Sequence, residues 1–515
     1  MENETNNNKF RIKKLIPLIV FLGIFLLASV IRLYRIADYM TFLGDEGRDV
    51  LVVKRMIVDH KLTLLGPTAS VGGFFLGPIY YYFMLPFLWL FQLDPVGPAV
   101  MVALFGIATV VLIYKVGKDM FNTKTGLTAS ILYSISPLVI AYSRSSWNPN
   151  LVPFFSLAFI YSLWLTVCGK WHYLFLTGVI FGIGLQLHYL FAFLLPMAII
   201  LFLIYGRNLK KIKYYLLGLL GFIVGYSPFL AFEFRHGFPN TQTVLKFIFS
   251  AKDTGFTGAK FTSIIQDVTF RLFGRLVDNY PDPGWLANMP KNEQSFYWIL
   301  TIITITISLG TLLIKLVRTK DKSYVLLFLW FLSGILLFGF YKKAIYDYYL
   351  GFMFTLPFLL VGSAFSFWLH RKNTIIKLAT ISILCLILWV NWEGRPFRSP
   401  PNRQLAQTKE ISRFVLNKTG GKPFNFALVT GQNSDHAYRY FFEIWGNKPT
   451  TIENPVIDPN RKSVTPQLLV ICENITCQPL GNSLWEIAGF GRAEIEGEWD
   501  VSVVKVFKLG RYKGI

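Results

Sequence analysis

Residues 15–34 read LIPLIVFLGIFLLASVIRLY, and residues 37–50 read ADYMTFLGDEGRDV. The first stretch is apolar except for Arg32 near its end. It is long enough to cross about 30 Å of hydrocarbon, for which a helix needs roughly 20 residues. It lacks a small-residue cleavage site and ends in Arg32 and Arg35, so it reads as a retained first span and not a cleaved leader. The second stretch crowds acids against that span: Asp38–Asp59 holds five of the 17 Asp and Glu found in the first 370 residues. Charge held at mid-membrane costs about 2.5–3.5 kcal/mol per residue, and less near the interface. A clustered acid–Arg group at the mouth of a span is therefore a functional-site candidate. The competing reading is a solvated loop with incidental ion pairs.

Working outward, the 515 residues are 53% hydrophobic and only 16% charged, and runs of about 20 apolar residues recur. The fold class is a polytopic α-helical membrane protein. Basic residues outnumber acidic ones 51 to 29, a formal charge of +22. That excess argues neither for nor from nucleic acid, because the basic residues fall mainly in short loops between apolar runs, as topology signals do. Eleven spans are expected, near 15–35, 96–116, 124–142, 151–168, 172–187, 189–206, 213–233, 296–317, 322–340, 348–369 and 373–392. A twelfth run, Ile79–Phe91, is short and flanked by Gly77-Pro78 and Asp94-Pro95. If it crossed, the later basic loops, such as Arg207/Lys210 and Arg371/Lys372, would face outward. It is read as a re-entrant or interfacial helix, with the N-terminus cytoplasmic and the C-terminus outside.

Three regions follow: a cytoplasmic tail (1–14), a transmembrane catalytic domain (15–392) whose first outer loop is 36–95, and an extracytoplasmic domain (393–515). In the last, helices at Leu405–Asn417 and Asp435–Trp445 alternate with strands at Phe424–Thr430, Gln467–Cys472 and Asp500–Lys508, suggesting a small α/β fold. Cys472 and Cys477 are expected to form a local disulfide if this domain lies outside the cytoplasm. Asn474-Ile475-Thr476 fits the glycan acceptor pattern. No phosphate-loop motif occurs in the chain.

A carboxylate beside an Arg at a membrane boundary suits sugar transfer from a lipid phosphate to a hydroxyl. The acceptor oxygen needs a base. The phosphate is already a good leaving group, so it needs only its growing charge held, which a guanidinium does well. Asp45 and Arg48 are three residues apart and would share a helical face. Asp45 is the candidate base, with Glu46 beside it as a second catalytic carboxylate, and Arg48 the candidate phosphate ligand.

The run from Gly44 to Asp49 resembles the first-loop motif of glycosyltransferase family 39. So do Gly-Pro-Ile-Tyr-Tyr-Tyr-Phe from Gly77, the string Gly106–Phe121, and Ser136-Pro137 followed by Tyr142-Ser143-Arg144. The resemblance points to the protein mannosyltransferase and lipid A aminoarabinose transferase branch. It runs over roughly residues 10–205, and beyond them by layout only. It implies a C-type membrane glycosyltransferase fold, a polyprenyl-phosphate-linked sugar as donor, and inversion at the anomeric carbon. Asp45 matches the family's first-loop Asp. Arg48 matches an Arg that contacts donor phosphate, and Tyr349, heading Tyr-Leu-Gly-Phe, matches a Tyr that begins a branch motif. The family's Lys beside the interfacial helix is missing from Phe74–Pro78, leaving Arg144, Lys342 or Lys343 to take its place.

Candidate substrate contacts are Asp49, Asn148, His188 and Tyr348. Tyr80-Tyr81-Tyr82-Phe83 reads as interfacial belt and packing. No cofactor is assumed. A divalent ion on Asp45, Glu46 and Asp49 is the alternative that carboxylate chemistry leaves open. The expected partners are membrane lipid, the lipid-linked donor, and an acceptor that is protein, lipid or glycan. The expected site is the plasma membrane. A transporter or flippase of lipid-linked glycans is the rival class, which would demand charges buried mid-span and inverted repeats.

Overall fold

The computed structural model describes the chain except residues 1, 207–210, 251–253, 257, 474–475, 513 and 515, and describes no side chains for 2–14 and 259. The basic pair Arg207/Lys210 and the Asn474 acceptor pattern therefore lie outside the described residues. The molecule is a multi-pass membrane protein built on a bundle of apolar helices. Among the described residues six are long and apolar enough to cross a bilayer: Leu15–Leu33, Val96–Met120, Asn148–Val167, Ile212–His236, Lys291–Thr319 and Thr374–Glu393. Asp347–Met353 and Leu356–Leu369 make a seventh if their 57° bend is counted within one span. Tyr173–Leu187, Tyr189–Tyr205 and Lys322–Phe338 are apolar but shorter. The run expected at 124–142 breaks between Thr123–Ile135 and Pro137–Tyr142, since Pro137 has no N–H to continue the helix.

Ile79–Leu90 is a helix of 12 residues. At 1.5 Å per residue it is about 18 Å long, well short of the hydrocarbon thickness. Two of its three tyrosines face inward, in line with the packing part of the belt-and-packing reading. Tyr80 is fully buried and Tyr81 is 2% exposed, and the Tyr80 hydroxyl lies 2.7 Å from Ser146 Oγ.

The acid motif opens a helix, Gly44–Val58. Asp45 and Glu46 occupy its first turn and Arg55 its last, each opposing the local end of the helix dipole. The Glu46 carboxylate also accepts the Leu43 N–H (3.0 Å), one of the donors a helix start leaves unpaired.

The C-terminal region is an α/β unit. Strands β1 (Asn425–Val429), β2 (Gln467–Cys472), β3 (Ala493–Val501) and β4 (Val504–Arg511) pair in the order β1-β2-β4-β3. The β1–β2 pair is parallel and the others are antiparallel. The stretch expected as one strand at Asp500–Lys508 straddles a hairpin instead, turning at Ser502 (φ 55°). Helices Gln404–Thr419 and His436–Ile444 pack on this sheet. Cys472 and Cys477 are disulfide-bonded.

This unit rests on the acid-motif helix. A Cβ at Gly44 would lie 2.1 Å from Ser434 Oγ, and one at Gly47 would lie 2.3 Å from the Ala437 nitrogen. The two glycines, one turn apart, let backbone meet backbone. Polar clasps surround the contact: Gly44 N–H donates to Asn433 Oδ1 (2.9 Å), Phe42 N–H to Gln404 Oε1 (3.2 Å), and Lys409 pairs with Asp94 (2.7 Å). Gly47→Val should overpack the joint by about 1–3 kcal/mol. The expected outcome is a lower melting temperature for the full chain and faster proteolysis of the linker at 393–403. Unchanged melting and cleavage would contradict this account of the joint.

Candidate functional site

Within the motif helix, Arg48 bridges two acids of unlike surroundings. Its Nη1 donates to Asp45 Oδ1 (2.8 Å), and its Nε donates to Asp49 Oδ1 (2.8 Å). Nη2 closes a second contact to Asp49 Oδ1 at 2.8 Å. Asp49 has no exposed side-chain surface, whereas the Asp45 side chain is 53% exposed. The Tyr81 hydroxyl donates to Asp49 Oδ1 (3.2 Å), while Asp49 Oδ2 has no partner. Burial pushes the Asp49 carboxyl up to about 6, the Arg48 guanidinium opposing the shift. Burial alone would lower Arg48, but its two carboxylates outweigh it and hold the guanidinium above its usual range. The inner half of the trio anchors Arg48, and Arg48 aims the outer carboxylate.

Two hollows meet at Asp45. The larger, about 990 Å³, lies between the motif helix, the Ser145–Asn150 turn and the C-terminal unit. The smaller, about 200 Å³, is lined by Arg48, Ser70, Asn148, His188 and Tyr348. Asp45 and Trp147 line both.

The other predicted residues divide. Asn148 sits in the smaller hollow's wall, with Nδ2 donating to the Leu187 carbonyl (2.7 Å). His188 lines it too, with Nδ1 accepting the Leu190 N–H (3.2 Å), which leaves Nε2 as the protonated nitrogen. Tyr348 packs on Trp147 with ring centroids 4.5 Å apart, its hydroxyl 3.4 Å from Ser70 Oγ. Tyr349 is buried behind this layer, 5.7 Å from the His188 ring, and lines neither hollow. Asp347 receives Arg271 (3.2 Å) and Arg275 (3.0 Å), which fixes the start of this Tyr cluster.

Arg144 does not reach the site. It is 2% exposed, donates to the carbonyls of Ile31 and Tyr34, and lies 5.3 Å from the Tyr39 ring. Its guanidinium closes the C-terminal end of the first span, where carbonyls lack helical partners. Glu46 reaches the floor of the larger hollow but is 6% exposed and committed to the Leu43 N–H. The carboxylates of Asp45 and Asp49 share Arg48, and that of Glu46 turns to the Leu43 N–H. Among the described residues no group of three His, Cys, Asp or Glu side chains is placed to hold an ion. Sequence reading missed Tyr81, Trp147 and the whole wall from the C-terminal unit. The glycine pair at 44 and 47 was the one signal that something packs closely there.

Burial pushes the Glu46 carboxyl up to about 7 from an ordinary 4.5, against the pull of the Leu43 N–H. The folded state then binds that proton more tightly than the unfolded chain does, so stability falls as pH rises from about 4.5 to about 7. The full effect is about 3 kcal/mol. Glu46→Gln keeps the oxygen that accepts the Leu43 N–H and removes the titration. It should melt higher than the parent at pH 8 and not at pH 4.5. Parallel melting curves across that window would refute the assignment.

Three comparisons bear on this geometry. Residues 76–232 match the family described as dolichyl-phosphate-mannose-protein mannosyltransferase. The match begins after the acid motif, so the site rests on its own geometry. Among curated protein sequences none matches this chain. The crystal structure of ArnT from Cupriavidus metallidurans bound to undecaprenyl phosphate is similar with a TM-score of 0.63 and 10% identity, over 95% of this chain and 97% of that one. The Archaeoglobus fulgidus oligosaccharyltransferase complex with zinc and sulfate is similar with a TM-score of 0.52 and 10% identity, over 88% and 67%. Archaeal AglB from the same organism, with an inhibitory peptide and a dolichol-phosphate, gives 0.50 and 12%, over 89% and 69%. The resemblance to glycosyltransferase family 39 is borne out by sequence pattern over residues 76–232, and the fold is similar to that of ArnT along nearly the whole chain.

Proposed function

We propose that the chain is a membrane glycosyltransferase that moves a sugar, with inversion, from a polyprenyl-phosphate donor to the hydroxyl of an extracytoplasmic acceptor. The observation that carries this reading is Asp45, a solvent-reachable carboxylate standing in the walls of both hollows. The family match over 76–232 and the lipid-phosphate ligands named with ArnT and AglB supply the donor class. The acceptor approaches from the larger hollow, and the sugar phosphate lies in the smaller one.

The step balances as follows. The acceptor O–H gives its proton to Asp45 as its oxygen bonds the anomeric carbon. The bond from that carbon to the phosphate oxygen breaks, and polyprenyl phosphate leaves with the electron pair. Arg48 has five N–H donors. Three are committed to Asp45 and Asp49, leaving two for a phosphate oxygen. Ser70, Tyr348 and His188 line the same hollow and carry further donors. The Lys that the family places beside the interfacial helix has no room at position 77, where a Cβ would lie 2.3 Å from Gln186 Cγ. The disulfide at Cys472–Cys477 supports placing the C-terminal unit outside the cytoplasm. No observation favours the transporter reading.

Purified Asp45→Asn, given labelled polyprenyl-phosphate sugar and envelope acceptors, should lose transfer by about 10²–10⁴-fold, the usual worth of a general base. It should melt as the parent does and still bind polyprenyl phosphate. Undiminished transfer would overturn the role of Asp45. Arg48→Ala should raise the donor KM and lower kcat together, and unaltered donor kinetics would remove Arg48 from the phosphate site.

A further inference from the structure

The larger hollow has a composition that transfer chemistry alone does not demand. Its charged lining residues, Asp45, Glu46 and Glu473, are all acidic, with neither Lys, Arg nor His among them. This occurs in a chain with 51 basic residues against 29 acidic ones. Glu473 is fixed by three donors, Thr430 Oγ1 (2.6 Å), Asn433 Nδ2 (2.8 Å) and Tyr438 Oη (3.2 Å). An acceptor bearing phosphate or carboxylate would meet Glu473 here, while Arg48 is already paired with Asp45 and lines the smaller hollow instead.

What the walls do offer is neutral. The side-chain amides of Gln407 and Gln432 line the space and take no hydrogen-bond partner among the described residues. Each amide supplies two donor hydrogens and one acceptor oxygen, the mixture a hydroxyl needs. Trp147 and Tyr142 line it with aromatic rings, a residue type suited to the apolar face of a pyranose. At about 990 Å³ the hollow stands at the top of the usual range for small-molecule sites, with room beyond one sugar ring. A polypeptide acceptor would look for a free strand edge to answer its backbone, and neither edge strand, β1 nor β3, lines the hollow.

We propose that this hollow is the acceptor subsite and that its occupant is an uncharged glycan, held by the C-terminal unit above and by Trp147 and Tyr142 below. The assignment rests on the transferase reading, and it adds what the acceptor is. Gln407 and Gln432 are specificity-determining residues in it, remote from the bond that breaks.

The test uses the full chain in nanodiscs and reads binding by saturation-transfer NMR, with no turnover required. The probes are neutral tri- to pentasaccharides of glucose and mannose, a hexose phosphate, and a Ser/Thr-rich peptide. Polyprenyl-phosphate binding is measured on the same sample. At least one neutral oligosaccharide should bind more tightly than the hexose phosphate and the peptide. The double variant Gln407→Ala/Gln432→Ala should weaken that binding at least about tenfold, the worth of one or two hydrogen bonds. It should melt as the parent does and retain the parent's Kd for polyprenyl phosphate. Binding of none of the saccharides, or tighter binding of the phosphate or peptide probe, would overturn the proposal. Failure of polyprenyl phosphate to bind the parent would instead strike the transferase reading, leaving saccharide binding to be judged by itself.

Discussion

The absence of side chains at positions 44 and 47 lets the Ser434–Ala437 backbone rest directly on the helix that carries Asp45 and Arg48. Everything functional in the molecule depends on that contact. It turns the C-terminal unit from an appendage into one wall of a hollow, and it places that wall within reach of a carboxylate. The Asn433 side chain shows the economy of the joint. Its Oδ1 takes the Gly44 N–H at the start of the motif helix, and its Nδ2 holds Glu473 across the hollow. A bulkier residue at either glycine would act on the site without touching any reacting group.

The second constraint is electrostatic. A buried carboxylate is costly unless it is paired and hydrogen-bonded. Asp49 meets that condition through Arg48 and Tyr81. Because breaking such a pair leaves an uncompensated buried charge, Arg48 is held where it is whether or not substrate is present. The guanidinium and the outer carboxylate Asp45 are thereby preorganised, which is what the proposed transfer would require as charge develops on a leaving phosphate. Arg144 and Arg32 show the other use of buried arginine in this chain. Both turn to main-chain carbonyls, Arg32 to those of Tyr133 and Ser134, and Arg144 to those of Ile31 and Tyr34.

The helical membrane architecture and the acid–Arg motif were legible in the sequence because both are local. Apolar length marks a spanning helix, and a spacing of three puts Asp45 and Arg48 on one face. Most of the C-terminal elements were legible for the same reason. β3 was missed although its acids at 494, 496, 498 and 500 alternate with apolar or small residues as a strand's do, because the third strand was instead run across the hairpin from Asp500. Arg144 was misjudged because its true partners are carbonyls some 110 positions away, and side-chain chemistry reveals nothing of them. Tyr81 was hidden within an aromatic run whose inward face depends on where Asp49 lies. The walls of the larger hollow come from residues near 41–46, 141–150, 404–411, 430–438, 473 and 503–504. No spacing rule joins these segments, and only the paired glycines hinted that they meet.

The central claim is that donor phosphate and the proton-accepting carboxylate share one place. A cryo-electron-microscopy structure of the full chain with polyprenyl phosphate bound tests it most directly. The account predicts phosphate density in the smaller hollow, within hydrogen-bond reach of Arg48, about 2.6–3.2 Å, and with Asp45 on the side facing the larger one. Phosphate bound elsewhere, with Arg48 still turned wholly to Asp45 and Asp49, would contradict it.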